Sequence, residues 1–245
     1  MLKLYNLNNH PRDKRIKFDE IPHIYYIDGK SYDLSVTKIV HSLFPSFDAD
    51  KVINNMRQSK KWKDSQYYGM TDYEIKNKWE NNRILSSEAG TKLHKDIELF
   101  YNDIDVNNNS VEFKYFLKFN NDFNYLTPFR TEWEIFDEDY KLAGSIDMVY
   151  FNTIDNIYEI YDWKRSKEIK KFNQFESGFD ELNHLPNCNF WHYSLQLNIY
   201  KRILETKYDI NISKLCLVVL HPLNTSYQRI ECPVLDNEVD KVLEK

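Results

Sequence analysis

Hydrophobic and polar residues along the chain change rhythm near residue 129, with helical spacing before it and alternation after it. Ile24-Tyr25-Tyr26-Ile27, the turn pair Asp28-Gly29 and Lys30-Ser31-Tyr32 read as a hairpin. Ser35 is placed to cap a short helix over 36–43, which Phe44-Pro45 ends, and Asp48 or Asp50 to cap another through about 60. Thr71-Asp72-Tyr73-Glu74 has the form of a capping box, which predicts a helix from about 72 toward 83. Ser86-Ser87 marks a further helix start, with helical spacing on to Phe100. A polar loop over 102–110 precedes an amphipathic helix over 113–125, and Pro128 closes the helical half. From there, 131–136, 142–151 and 157–164 alternate as three strands with short turns, an antiparallel meander. A polar, basic connection over 165–186 leads to a helix over 190–206, strands over 215–220 and 228–232, and a last helix from 237. This order predicts an α/β fold with one mixed sheet. No Gly-, Pro- or Ser-rich linker interrupts it, so residues 1–84 are expected as a hairpin and helical elaboration on a core of 85–245, the whole forming one compact unit.

Composition narrows the class. Of 245 residues, 33 are Lys or Arg and 38 Asp or Glu, a formal net charge of −5. Only 5 are Gly, against roughly 17 at average usage. Nothing approaches the ~18 consecutive apolar residues of a membrane span, and the amino terminus lacks the apolar core of a secretory signal. The expectation is a protein of the cytoplasm, neither secreted nor membrane-bound. Cys188, Cys216 and Cys232 are too few and too irregularly spaced for a disulfide framework, a zinc site or a four-thiolate cluster.

Chemistry is suggested by charges inside apolar strands. Asp147 is the sole charge in 142–151, where an unpaired carboxylate costs several kcal/mol and calls for a cation, a metal ion or a strand mouth. Asp162 and Lys164, two apart in the next strand, share a face. Together they make either a cation site beside a fixed positive charge or a buried salt bridge, and the spacing leaves both open. Lys51, Arg57, Lys60, Lys61 and Lys63 form an acid-free run that is either a solvated face or a phosphate-contacting surface.

The series Gly90-Thr-Lys-Leu-His94, Glu132, Ala143-Gly144-Ser-Ile-Asp147, Asp162-Trp163-Lys164 and Gln196-Leu-Asn-Ile-Tyr200 resembles the motif order of the PD-(D/E)XK nuclease superfamily, in particular its RecB-type exonuclease branch, over about residues 85–205. Ile146-Asp147 stands where the motif has Pro-Asp, and the four cysteines that hold an iron–sulfur cluster in some relatives are missing, so none is expected. The resemblance implies a restriction-endonuclease-like core, a mixed sheet with the meander flanked by helices. It implies one or two Mg²⁺ or Mn²⁺ ions held by Asp147, Asp162, the Trp163 carbonyl and His94, with Glu132 as the further acidic residue and Glu134, on the same face, the second choice. Lys164 would orient or help deprotonate the attacking water, and Gln196 would position the lysine or the scissile strand, sharing a helix face with Tyr200 and His192.

DNA contacts are expected from Ser35 and Thr37, whose helix is similar to one in homologues of large DNA viruses and phages. The others are Lys51, Arg57, Lys60, Lys61, Arg165, Lys167 and Tyr200, with Lys170 and Lys171 adding basic surface. Tyr67 and Tyr68 are candidates for base stacking, and Gly90 and Gly144 are expected to leave room beside the metal. The implied function is a metal-dependent DNA nuclease, an exonuclease on ends or single strands in replication, recombination or repair. DNA and replication or recombination proteins would be its partners, in a host cytoplasm or viral factory if the source is a virus. The alternatives are an endonuclease, on RNA included, and an inactive DNA-binding module.

Overall fold

A computed structural model describes residues 2–244. In chain order its helices are α1 (Lys3–Leu7), α2 (Val36–Ser42), α3 (Ala49–Gln58), α4 (Asp72–Tyr101), α5 (Val111–Asp122), α6 (Asn189–Lys207) and α7 (Asp236–Leu243). The strands are β1 (Ile16–Asp19), β2 (Ile24–Ile27), β3 (Lys30–Tyr32), β4 (Leu34–Ser35), β5 (Leu126–Asp137), β6 (Leu142–Asn152), β7 (Ile157–Lys164), β8 (Ile212–Val219) and β9 (Gln228–Glu231). The class is α/β, as the alternation of periods predicts. Among the described residues no helix is long and apolar enough to cross a membrane.

Local chemistry explains most boundaries. Ser35 Oγ accepts from Lys38 N–H and Asp48 Oδ1 from Lys51 N–H, so both residues serve as N-caps. Thr71 and Glu74 satisfy each other's backbone N–H groups in a complete capping box. Asp28 and Gly29 take φ of +50° and +79°, the two left-handed positions of a tight hairpin. Two expectations are corrected. The helices drawn over 72–83 and from 86 are one helix, α4, because nothing around Ser86-Ser87 removes an N–H or requires a non-helical φ, and serine disfavours helix only weakly. Pro128 does not end the helical half but lies inside β5, where the register slips between Pro128 and Arg130. A proline is tolerated there because β5 pairs only with β6 and is an outer strand.

The chain divides into two compact units, one of residues up to Pro45 and from Leu93 onward, the other Ser46–Lys92. The boundary therefore differs from the expected 84/85. The amino-terminal stretch belongs to the larger unit because buried Asp13 pairs with Arg130 at 2.7 Å and accepts from Trp133 Nε1 at 2.9 Å. The outer edge of β5 is also closed by side chains of this stretch: Asn8 donates to the Phe129 carbonyl at 2.9 Å and Arg12 to that of Phe136 at 3.1 Å. Within the smaller unit, Ile53 and Ile75 are buried, Arg57 pairs with Asp72 at 2.5 Å and Lys76 with Asp50 at 2.6 Å.

In the larger unit the sheet runs β4-β6-β7-β8-β9 with β5 on the far side of β6, and β4–β6 and β7–β8 are parallel. One face packs on α2, α6 and α7 through Val36, Ile146, Val149, Ile160, Leu195, Ile199 and Val239. The other packs on α5 and the last turns of α4 through Leu93, Ile97, Phe116, Phe119, Met148 and Trp163. Sheet β1-β2-β3 covers Phe136 and Ala143.

Gly144 belongs to this packing rather than to the reaction space. A Cβ there would stand 2.7 Å from Tyr200 Cε1 and 3.2 Å from Val36 Cγ2, whereas one on Gly90 would meet nothing within 4 Å. Gly144→Ala should therefore destabilise the fold by about 1–3 kcal/mol and Gly90→Ala should stabilise it by about 0.5–1 kcal/mol. Urea melts of the two variants check this, and equal stabilities would refute it. A second expectation concerns His192, which stacks on Phe44 at 4.1 Å between centroids and whose Nε2 lies 2.9 Å from Asn187 Oδ1. Burial, assisted by His41, lowers its imidazole to about 4. Its folded value lies below the unfolded one, so its contribution is complete above pH 6.5 and is lost as pH falls toward 4. His192→Gln should flatten the fall of stability across that window by roughly 1–2 kcal/mol; parallel stability–pH curves would show that His192 carries none of it.

Candidate metal centre

β6 is the branch point of the larger sheet. β5 runs along one of its edges, while β4 takes the other at Leu142 and Ala143 and β7 takes it again from Met148 to Asn152. Residues 144–147 thus face a gap on that edge. One step beyond the last β6–β7 pair, Met148 with Tyr161, Asp147 stands across from Asp162. Asp147 Oδ2 then accepts the Trp163 N–H at 2.8 Å, a side chain replacing a ladder partner.

Alternation also breaks here. Ile146 and Val149 both face the α6 side while Met148 and Tyr150 face the α4 and α5 side, a pattern that strict period two forbids. Directly across on β5, Glu132 has φ of +42°, a strained conformation for a residue with a Cβ. Ligand atoms of His94, Glu132 and Asp147 all lie within 4.8 Å of one another. The His94 Nδ1 is 3.4 Å from Asp147 Oδ2 and 3.7 Å from Glu132 Oε1, and its Nε2 is 2.9 Å from the Trp163 carbonyl. With Nε2 donating to that carbonyl, Nδ1 is the nitrogen that faces the carboxylates, the orientation a metal-ligating histidine needs.

On β7, Asp162 Oδ2 lies 2.7 Å from Lys164 Nζ, yet this buried oxygen receives no hydrogen bond of proper geometry. Lys164 Nζ also sits 4.4 Å from the centre of the Tyr193 ring on α6. Burial raises Asp162 to about 6 against the pull of Lys164, and burial raises Asp147 against that of His94. Burial pulls His94 down, but Asp147 and Glu132 outweigh it and hold the imidazole at about 9. Burial likewise opposes the charge on Lys164, and Asp162 and Asp147 more than offset it, so the lysine stays an ammonium above its ordinary range.

His94, the partly exposed Glu132 and the largely buried Asp147 thus form a cluster that could hold a metal ion, with the Asp162–Lys164 pair beside Asp147. Oxygen donors suit Mg²⁺ or Mn²⁺, and the imidazole favours Mn²⁺. A cavity of about 300 Å³ opens beside Glu132, lined also by Tyr5, Lys17, Phe18, Arg130 and Glu134.

His94, Glu132 and Asp147 come together, with Asp162 and Lys164 paired next to Asp147. The Trp163 carbonyl, expected as a ligand, is engaged by His94 Nε2. Gln196 donates to the hydroxyl of Tyr200 at 3.1 Å. Of the expected DNA contacts, Tyr200 is buried in the core, Ser35 is buried as a helix cap, and Arg165 pairs with Glu112 at 2.7 Å. Arg57 is already paired with Asp72, and Tyr67 accepts from Trp79 Nε1 at 2.9 Å, leaving Tyr68 as the exposed ring of that pair. Thr37, Lys51, Lys60, Lys61 and Lys167 are at the surface. All three cysteines are free. Tyr193 escaped the sequence reading, although it lies one turn before Gln196 on the same helix face.

No protein-family model and no curated protein matches the chain. Among solved structures it is similar to the crystal structure of SSO0001, with 18% identity, 86% of this chain and 73% of that chain covered, and a TM-score of 0.36. A likeness of that depth carries no argument, so the site stands on its own geometry.

Saturating Mn²⁺ should raise the thermal midpoint by roughly 5 °C or more if bound at about 100 times its Kd. Asp147→Asn and His94→Ala should each remove that shift, and Glu134→Gln should keep it. An unchanged shift in Asp147→Asn would place the ion elsewhere.

Proposed function

We propose that the protein is a divalent-metal-dependent DNA nuclease with a PD-(D/E)XK core, acting as an exonuclease on DNA ends or single strands. The observation that carries this reading is the meeting of Asp147 and Asp162 at the fork of β6 and β7, with Lys164 beside them and His94 turned in from α4. A plain salt bridge would satisfy Asp162 with Lys164 and need neither Asp147 nor the strained Glu132 beside it.

When bound, the cation supplies Lewis acidity toward a phosphoryl oxygen and lowers the pKa of a coordinated water. The chain's own groups do the rest. Asp147, Glu132 and His94 offer the donor atoms, and the Trp163 carbonyl engages Nε2, so that Nδ1 is the nitrogen that faces the carboxylates and would bind a cation on losing its proton. Lys164, kept protonated by Asp162, presents positive charge to the negative charge that grows on the phosphoryl oxygens. An ammonium held in that state orients a water and stabilises charge but does not take up the water's proton. Tyr193 fixes the lysine by its ring face, and Gln196, tied to Tyr200, stands on the same helix. Against the net charge of −5, Lys167, Lys170 and Lys171 supply exposed positive charge on the connection that follows the strand of Lys164.

The test is incubation with Mn²⁺ or Mg²⁺ and two substrates, end-labelled linear DNA and circular single-stranded DNA. Linear DNA should be degraded and circles spared, with Lys164→Ala slower by about 10²-fold or more. Degradation of circles overturns the exonuclease assignment, and equal activity in Lys164→Ala overturns the site.

A further inference from the structure

The connection between β7 and α6 is irregular, yet its backbone is pinned. Lys170 N–H donates to Asn189 Oδ1 at 2.8 Å, Asn189 Nδ2 to the Glu168 carbonyl at 3.0 Å and Trp191 Nε1 to the Lys171 carbonyl at 3.2 Å. Further along, Asn173 Nδ2 donates to the Asn187 carbonyl at 2.7 Å. The first three bonds come from the opening turn of α6, which one step later places Tyr193 against Lys164. Loop and lysine are therefore fixed to the same piece of helix.

From this pinned backbone Phe172 and Phe175 project with 73% and 83% of their surface in water. Burying a phenylalanine is worth about 1.5–3 kcal/mol, and this fold leaves that stabilisation unused twice within four residues. Lys167, Lys170 and Lys171 are exposed on the same stretch, and Glu168 is its one exposed acid. Exposed aromatic rings that follow directly on a run of lysines suit a ligand that has flat apolar faces and regularly spaced negative charge.

We propose that residues 167–175 are a stacking platform for the unpaired bases of the DNA strand whose phosphodiester is presented to Lys164. A ring accepts the face of any base, and lysines follow the phosphates without reading sequence. In a duplex the bases are already stacked on one another and offer Phe172 and Phe175 nothing, so the platform selects the single strand. The inference rests on the nuclease reading for its substrate, but its test needs no hydrolysis.

In EDTA, the whole protein is titrated against a fluorescein-labelled oligothymidylate of about 20 nucleotides, a blunt duplex of the same length and anionic phospholipid vesicles. Phe172→Ala/Phe175→Ala should weaken binding to the single strand by about 10- to 100-fold. Duplex affinity and thermal midpoint should stay unchanged, and the fluorescence change of a 2-aminopurine in the strand should be lost. Lys170→Ala/Lys171→Ala should weaken both DNA forms and reduce the salt dependence. Single-strand affinity within about twofold of wild type, an equal loss on duplex, or no binding by the wild type would each overturn the platform. So would vesicle binding that depends on the two phenylalanines, which would assign the loop to a lipid surface. Intact single-strand binding that needs both rings, without any Mn²⁺-dependent cleavage, would instead remove the nuclease reading and leave the platform standing.

Discussion

One hydrogen bond sets the terms for the candidate site, that from Trp163 N–H to the Asp147 carboxylate. Where β6 and β7 part, each backbone must find new partners or leave polar groups unpaired in a dry interior. Asp147 answers for β7 with its side chain, and that holds the two strands at a fixed separation with a carboxylate on each. The cost is an ionised group where burial disfavours it. The structure meets that cost with an imidazolium on one side and an ammonium on the other, so the protein's own cations occupy the electrostatic role that a divalent ion would share.

Much of this was legible in the residues. Asp147 as the lone charge of an apolar strand, and Asp162 with Lys164 on one face, are readable as charges that need partners, though the fork that brings them together is not. The caps at Ser35, Asp48 and Thr71 and the turn at Asp28-Gly29 were equally readable, because each depends on chemistry within four residues. The join of α4 across Ser86-Ser87 was not, since a weak preference is overruled by continuity of the helix. Nor was the attachment of residues up to Pro45 to the sheet, which rests on Asp13 meeting Arg130 more than a hundred residues later.

The site residues divide along the same line. His94 and Asp147 could be named, but the positive φ of Glu132 could not, because only the paired break in β5 and β6 demands it. Tyr200 is expected at the DNA, whereas Gly144 opens a slot into which its ring sinks. Of the two uses expected of Gly144, room for substrate or for a neighbouring helix, the structure shows the second, and the same contact anchors the helix that carries Tyr193 and Gln196.

The closed outer edge of β5 has a bearing on behaviour in a crowded solution. Asn8 and Arg12 occupy backbone carbonyls that would otherwise be offered to a strand from another molecule, and Pro128 contributes no N–H there. A chain nicked before β5, or one newly emerging with its amino-terminal stretch not yet docked, would present a long adhesive strand. Asn8 and Arg12 thus cover part of the free edge of the sheet that bears the candidate site while contributing no ligand to it.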